Sequence, residues 1–485
     1  MHEHSLGSVP IAPRREWLLP GLAVGVVAAG VAVCLEPLGL LIAFAAVLLV
    51  AVAWWAWGGY DRWFVAFAIA TCLLPPLPIA LGTTGPHVAI GAAFLGLWMG
   101  LAHLTTWRIQ NDLLTISLIA FWLVLGLSVS LAAINAPLSV AAIGAARLGL
   151  LGISVYAFFY FAYCPPGNST LRLVWWIKLL YGLGVTGAGF ACVDFYFQWP
   201  PPAGFGEQFV WLIGVVYRRA QGFFYEASTL GNFCAFFLLL VGTIWVRRDS
   251  RPMLLSPWIL ATGAIVLATA LLFSFSRSSL LALMVSACGL LFLERRHVRV
   301  GRWFAVASAG VIGVLVLAYV LAPEFTKAYL LRLWLTVMGI LHAPDVWSSG
   351  RWTNWSLLLN FLAEHPQKLL LGIGYATLPH TDLLGRPIVG DNMYLSMLVE
   401  TGILGVAAMG VFLAALLSTA YRVSRSKDAM ASLVGTWLFC FWVGQLAQML
   451  SVDVLTFWRV LPLYLGLLGM AAYRANRSAR AEPAT

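Results

Sequence analysis

Residues 113–134 read LLTISLIAFWLVLGLSVSLAAI, with no charged side chain among them. A bilayer core takes about 20 apolar residues in one helix, and this run reaches that length. Similar runs recur at 17–35, 38–58, 62–82, 88–105, 139–164, 172–198, 228–246, 256–274, 278–294, 303–322, 391–421, 430–451 and 455–473. In 62–82 the PPLP at Pro75–Pro78 predicts a kink or a break. Composition agrees, with 61% hydrophobic and only 10% charged residues in the 485-residue chain, against about 25% charged in soluble domains. Lipid admits only helices, whose backbone groups bond internally, and closed barrels. Barrel strands would alternate over segments of about 10 residues; these runs are longer and uniformly apolar. The expected fold is all-α, a polytopic transmembrane bundle of about 12–14 spans with one long outer loop containing short helices.

The net charge is +10. In a soluble protein such an excess would raise the question of nucleic acid. Here it follows the bias of lysine and arginine toward cytoplasmic loops, and no nucleic-acid partner is expected. With the N-terminus in the cytoplasm and the runs alternating, the inner segments collect Arg14, Arg15, Arg62, Arg108, Arg172, Lys178, Arg247, Arg248, Arg251, Arg295, Arg296, Arg299, Arg302, Arg422, Arg425, Lys427, Arg474, Arg477 and Arg480. The outer segments keep Arg218, Arg219, Arg277, Lys327, Arg332, Arg351, Lys368, Arg386 and Arg459. Both termini are expected in the cytoplasm, and the loop 323–390 and the segment 199–227 outside. The polar residues before Trp17 lead into an apolar run without a small-residue cleavage site, which reads as a first membrane helix. The seven cysteines are scattered through apolar runs without metal or disulfide spacing.

One stretch breaks the apolar pattern. Residues 348–405 read SSGRWTNWSLLLNFLAEHPQKLLLGIGYATLPHTDLLGRPIVGDNMYLSMLVETGILG. Within the loop, 327–341 and 352–364 read as short helices, the second ending before Pro366. Several outer arginines sit where helix mouths are expected: Arg218 and Arg219 before the helix at 228, Arg277 at a junction of two helices, and Arg351 at the start of a loop helix. Arg147 lies about two turns inside its own helix. Charge in a membrane is costly and marks function more often than not, although Arg147 could equally form an ion pair or snorkel. Guanidinium groups hold phosphates bidentately at any physiological pH, and fixed cations stabilise a departing diphosphate. No paired acidic motif stands beside them, so no metal and no cofactor is expected. A proton acceptor is the second ingredient. Asp391 opens a helix, where it is either a cap or a general base; His380 and Glu226 are the rival bases.

The pattern resembles the O-antigen ligase and O-antigen polymerase superfamily of bacterial envelope glycan enzymes. The likeness covers roughly residues 210–410. It rests on Arg219, Gly222 and Glu226 in RAQGFFYEAS, on Ser276 and Arg277 in FSRS, on Ser349, Gly350 and Arg351 with Trp355 and Pro366, on Gly372 and Gly374 in GIGY, and on Asp391, Asn392 and Tyr394 with Glu400, Gly402 and Gly405. The resemblance implies a metal-independent glycosyltransferase that takes glycan from an undecaprenyl-diphosphate carrier to an acceptor glycan or lipid. Arg219 and Arg277 would bind the diphosphate, and Arg351 would help hold the loop or substrate; by charge and position alone, Arg351, Arg147 and Arg218 are further candidates for the diphosphate. Asn392, Tyr394, Gly372 and Gly374 would support the loop and helix. Ligases of this superfamily usually carry histidine where this chain has Asp391, so the expected activity is polymerisation of lipid-linked repeats for O-antigen, capsule or exopolysaccharide. Ligation onto lipid A-core and transport of a polysaccharide or lipid are the alternatives. The expected organisation is N-terminal helices over 1–209, a ligase/polymerase-like core over 210–421, and C-terminal helices with a cytoplasmic tail over 422–485. The expected setting is the bacterial inner membrane, with a chain-length regulator or flippase as possible neighbours.

Overall fold

The computed structural model describes residues 51, 54–55, 59, 61–77, 86–164, 170–199, 206–212, 215–224, 226–247, 255–295, 312–313, 316, 319–320, 323–342, 350–382 and 386–480. The expected spans 17–35 and 303–322, most of 38–58, and Ser349 lie outside or largely outside these residues. The chain divides into two compact units, residues 1–66 and 67–485, and every candidate site residue belongs to the second.

The described elements of the second unit are α1 (Arg62–Leu73, reaching back into the first unit), α2 (Val88–Ala102), α3 (Leu113–Asn135), α4 (Leu138–Tyr163), α5 (Thr170–Phe197), the strands β1 (Phe209–Leu212) and β2 (Val215–Arg218), α6 (Ala227–Val246), α7 (Pro257–Phe273), α8 (Arg277–Leu293), α9 (Pro323–His342), α10 (Arg351–Glu364), α11 (Met393–Ser424), α12 (Ala429–Gln448) and α13 (Leu461–Arg480). The all-α class holds. Six of these, α3, α4, α5, α6, α11 and α12, are long and apolar enough to cross a membrane. The helices α1, α2, α7 and α8 are apolar but shorter. Both loop helices form, as α9 and α10. The last expected span starts later than its hydropathy suggested, because Asp453 caps a short 3-10 turn at Val454–Thr456 ahead of it. The outer segment 199–227 contains a hairpin that hydropathy did not reveal, with Phe209 paired to Arg218 and Leu212 to Val215.

Helix α4 packs on α3 and α13; α11 bridges α3 and α12; α12 also packs on α8 and α13; α8, α6, α7 and α5 continue the contacts in turn. Aromatic rings fill the centre. Phe236 of α6 lies 4.1 Å from the ring of Trp437, 4.2 Å from Tyr464 and 4.8 Å from Phe441. At one end of the bundle, ion pairs join Arg247 to Glu294 at 2.5 Å and Arg474 to Asp428 at 2.5 Å. The hairpin, the α7–α8 turn, the polar loop and the α12–α13 turn gather at the other end.

The polar loop is bolted to α11 at a defect in that helix. The sequence presents 391–421 as one straight span, but Gly402 has φ 68° and ψ −168°, and α11 kinks there. A kink frees backbone groups that need new partners. The loop supplies them: Ile373 N–H donates to Val399 O at 3.0 Å, Gly374 N–H to Glu400 O at 2.8 Å, and Ile403 N–H to Leu369 O at 2.8 Å. The Glu400 carboxylate, buried beneath, accepts from the Ala376 and Leu378 amides at 2.9 and 3.1 Å. Above this joint Leu358, Phe361 and Leu362 of α10 form a small core with Ile373, Leu378, Ile388 and Val399. The polar loop is therefore a packed structure on a long apolar helix, and it holds α10 in place.

One of the arginines expected outside, Arg459, is structural. Arg459 is 2% exposed, lies 5.0 Å from the Phe224 ring, and donates to the carbonyls of Phe223, Thr71 and Leu74. Arg459→Leu would strip those acceptors of their donor. The expected cost is about 3 kcal/mol of stability, read by detergent-induced unfolding; an unchanged unfolding midpoint would contradict this role.

Candidate functional site

The site is built at the mouth of α8. Phe273 closes α7, and the turn Ser274–Ser276 leads into α8, with Phe275 at φ 50°. The Ser276 side chain caps the new helix at Ser279 N, which sets Arg277 at its first position. The hairpin docks on this turn: Ala220 N–H donates to Phe273 O at 3.0 Å, and Arg219 Nε donates to Ser274 O at 2.8 Å. From the loop, α9 brings Tyr329 to 5.2 Å from the Phe275 ring and Arg332 to 5.9 Å from it. Helix α10 starts with Arg351, after Gly350 in a left-handed conformation with φ 79°.

Four guanidinium groups from four segments thus share one field. Burial, together with the charges of Arg332, Arg351 and Arg277, pushes Arg219 down to about 10, against the opposing pull of Glu226. Arg277 is likewise repelled by Arg332 and Arg351. Like charges gathered with partial desolvation destabilise a fold, so their convergence signals an anionic ligand. A diphosphate, with its dense charge and several acceptor oxygens, suits such a set.

Carboxylates border the arginines. Asp391 Oδ2 accepts from Arg351 Nε at 3.1 Å. The helix cap expected of Asp391 falls to its neighbour: Asn392 Oδ1 accepts from Leu395 N–H at 3.1 Å. Asp391 instead adopts φ 44° just outside the helix, directed at Arg351. Glu226 occupies the cap position of α6 without capping it, and accepts from the Ser228 hydroxyl at 2.9 Å. Burial pushes the Glu226 carboxyl up; Ser228 opposes this, Asp391 and Asp453 add to it, and Arg219 opposes it.

Two expected arginines stand elsewhere. Arg218 is tied to Asp194 of α5 at 2.7 Å, with both side chains largely buried, so its charge is compensated within the fold. Arg147 belongs to a second group, where its charge acts on Tyr375, His380, Glu400 and Asp453. Burial and Arg147 together push the His380 imidazole below its usual value, which favours its neutral form. Tyr394 ties α11 to α12 through a 2.9 Å hydrogen bond to Leu446 O. Gly372 and Gly374 lie in the loop at the kink, at φ 74° and 121°.

A buried polar chain runs beneath the arginines. Ser279 shares a hydrogen bond with Ser276 at 2.7 Å and accepts from Gln448 Nε2 at 3.1 Å. Asn232 donates to Gln448 and Gln445 at 2.8 and 2.6 Å, and accepts from Tyr464 at 2.9 Å. These bonds join α6, α8, α12 and α13 just below Arg277. Sequence reasoning missed two site residues. Arg332 was visible as an outer basic residue inside a loop helix. Asp453 was visible only as an acid in the turn between the last two apolar runs.

Fold and site define a helical membrane protein with a cationic site at one end of its bundle. Residues 262–410 match a family model described as O-antigen ligase. This match, over less than a third of the chain, supports membership in the O-antigen ligase and polymerase superfamily. The matched stretch includes Arg277, Arg332, Arg351, His380, Asp391 and Glu400, and excludes Arg147, Arg219, Glu226 and Asp453. No curated protein matches the chain. Its apolar helices and this family fit a bacterial inner-membrane protein that acts on lipid-linked glycan, in the manner of a ligase or polymerase.

Proposed function

We propose that the chain is a glycan polymerase that joins undecaprenyl-diphosphate-linked oligosaccharide repeats at the outer face of the inner membrane. The observation that carries this reading is the convergence of Arg219, Arg277, Arg332 and Arg351 beside the Asp391 carboxylate. A hydroxyl of the acceptor glycan attacks the anomeric carbon of the donor sugar. The bond from that carbon to the diphosphate oxygen breaks, and its electron pair leaves with the lipid diphosphate. The arginines stabilise the charge that grows on the leaving oxygen. Asp391 receives the hydroxyl proton. Without substrate, Arg351 holds Asp391; an arriving diphosphate competes for Arg351 and frees the carboxylate toward the acceptor.

The sidedness of the bundle supports the orientation. Arg247, Arg295, Arg422, Arg425 and Arg474 lie at or near helix ends on the side opposite the arginine site, as expected of a cytoplasmic face. In this reading both termini are cytoplasmic, the core spans 210–421, and the arginine cluster opens to the periplasm or exterior. A flippase supplying donors and a chain-length regulator are the natural neighbours of such an enzyme.

Asp391→Asn is expected to slow transfer about 100- to 10,000-fold with little loss of folded protein, since its ion pair is partly exposed and contributes about 0–1 kcal/mol. The measurement is turnover of lipid-linked repeats in proteoliposomes. If His380→Ala alone stops the reaction while Asp391→Asn does not, the base is His380. The ligase description of the matched family, with His380 in the loop as a candidate base, favours transfer to lipid A-core as the second reading.

A further inference from the structure

Arg147 stands outside both the arginine cluster and the ion pairs of the framework. Among the described residues its half-buried guanidinium takes no hydrogen-bond or ion-pair partner. The backbone sets its place. One turn earlier, α4 brings Gly144 so close to the polar loop that a Cβ there would lie 2.8 Å from Tyr375 O. The same helix packs on the turn Val454–Thr456, which Asp453 caps. Residues three apart share a helix face, so Arg147 belongs to the side of α4 that meets the loop and this turn. Its charge acts on both, on Tyr375 and His380 in the loop and on Asp453 at the turn.

Three polar groups here are open to a ligand: Arg147, the half-buried Asp453, and His380 at the surface. Glu400 is not, because its two oxygens accept from the amides of Ala376 and Leu378. Charge separates this group from the arginine site. There, four guanidinium groups stand against Asp391 and Glu226; here, Arg147 stands against Asp453 and Glu400. A second diphosphate would be repelled. A sugar hydroxyl donates and accepts at once, and a guanidinium, a carboxylate and an imidazole side by side answer both needs.

The group adjoins the Asp391 carboxylate. Just after Asp391, Met393 N–H donates to Met449 O at 2.8 Å, on the segment that leads to Asp453. Just before it, Ile388 N–H donates to Leu378 O at 3.0 Å, beside His380. Glu226 feels the charges of Asp391 and Asp453 alike. Asp391 therefore faces the arginines through Arg351 and is tied to the Arg147 group through its flanking residues.

We propose that Arg147, Asp453 and His380 form the subsite for the acceptor sugar, holding its ring hydroxyls so that the attacking one reaches Asp391. The proposal rests on the reading of the chain as a glycan polymerase. It adds that the acceptor is recognised by a neutral, hydroxyl-bearing sugar and not by a second diphosphate.

The test uses the full-length protein in proteoliposomes. Lipid-linked repeats extracted from the producing bacterium serve as donor, and the oligosaccharide released from the same extract by mild acid serves as acceptor. That oligosaccharide keeps the attacking hydroxyl and lacks the diphosphate, so it accepts and cannot donate. Arg147→Gln is expected to raise the KM for the oligosaccharide about 10- to 100-fold, the usual cost of losing a charged hydrogen-bond donor. Undecaprenyl diphosphate should bind this variant as it binds wild type. Arg147→Lys separates recognition from charge balance, and decides the matter even where loss of the charge unfolds the protein. Lysine keeps the charge and loses the planar fork, so the KM should still rise severalfold; an arginine that only balances Asp453 and Glu400 would be replaced by lysine without effect. A wild-type KM in either variant overturns the subsite and leaves the diphosphate site standing. So does a wild type that extends lipid-linked repeats but never the free oligosaccharide. A wild type that lengthens no glycan overturns the reading on which the proposal rests.

Discussion

Arg277→Ala is expected to lower glycan transfer about 100- to 1000-fold, the usual cost of removing one preorganised group that stabilises a leaving charge, without lowering the melting temperature. The two halves of this result have separate causes. Arg277 stands at the first position of α8, where Ser276 and the buried chain through Ser279, Gln448 and Asn232 hold it. It shares a partly desolvated site with Arg219, Arg332 and Arg351. Their mutual repulsion raises the energy of the resting fold, and their shared field lowers that of a bound diphosphate. Removing one relieves repulsion, so the folded protein is expected to be equally or more stable, as at sites where stability is traded for activity. Arg277→Lys keeps the charge but loses the planar fork, and should recover only part of the loss. A variant that lost activity and unfolded at lower temperature would point to a structural role.

Gly374→Ala is expected to cost about 3 kcal/mol or more of stability, from left-handed backbone strain and overpacking together, and to abolish transfer with every arginine present. Gly374 has φ 121°, and a Cβ there would lie 2.5 Å from the backbone nitrogen of Ala132 in α3. Neither backbone has room to move, because Gly374 N–H is bonded to Glu400 O and its neighbour Tyr375 N–H to Ser128 O. Alanine would lift the loop from the α11 kink and carry α10 and Arg351 with it. A displacement of about 1 Å is enough to cost about 100-fold in rate. Gly350→Ala is the internal control. Gly350 also has positive φ, 79°, but nothing lies within 4 Å of its missing Cβ, so its cost should be about 1–2 kcal/mol. Thermal unfolding and limited proteolysis of the loop distinguish the two; equal losses would show that backbone strain alone, and not loop docking, sets the effect.

The membrane helices were legible because each must satisfy lipid by itself, and a run such as 113–134 contains all the information that requires. The loop helices were legible for the same local reason. So were Arg219, Arg277 and Arg351, whose charge at a membrane boundary demands a cause. What local pattern does not carry is partnership across the chain. Nothing around Arg218 distinguishes it from Arg219, yet Asp194, 24 residues earlier, binds it. Arg459 looks like another outer cation, but three carbonyls from distant segments consume its donors. Glu400 reads as an acid in a membrane helix; its partners are loop amides exposed by a turn that only the folded loop makes. The kink at Gly402 is invisible to hydropathy, because hydropathy scores the helix and not its broken bonds. The cap at Asn392 in place of Asp391 turns on a single residue's φ.

The central claim is that the arginine site transfers glycan from one lipid diphosphate to another. The most direct measurement is reconstitution of the purified protein in proteoliposomes with undecaprenyl-diphosphate-linked repeat units, with products separated by size and released lipid diphosphate quantified. The expected result is a ladder of lengthening glycans, one undecaprenyl diphosphate released for each repeat added, and loss of both in Arg277→Ala. Glycan that never lengthens, or lipid diphosphate released only when lipid A-core is supplied, would contradict it.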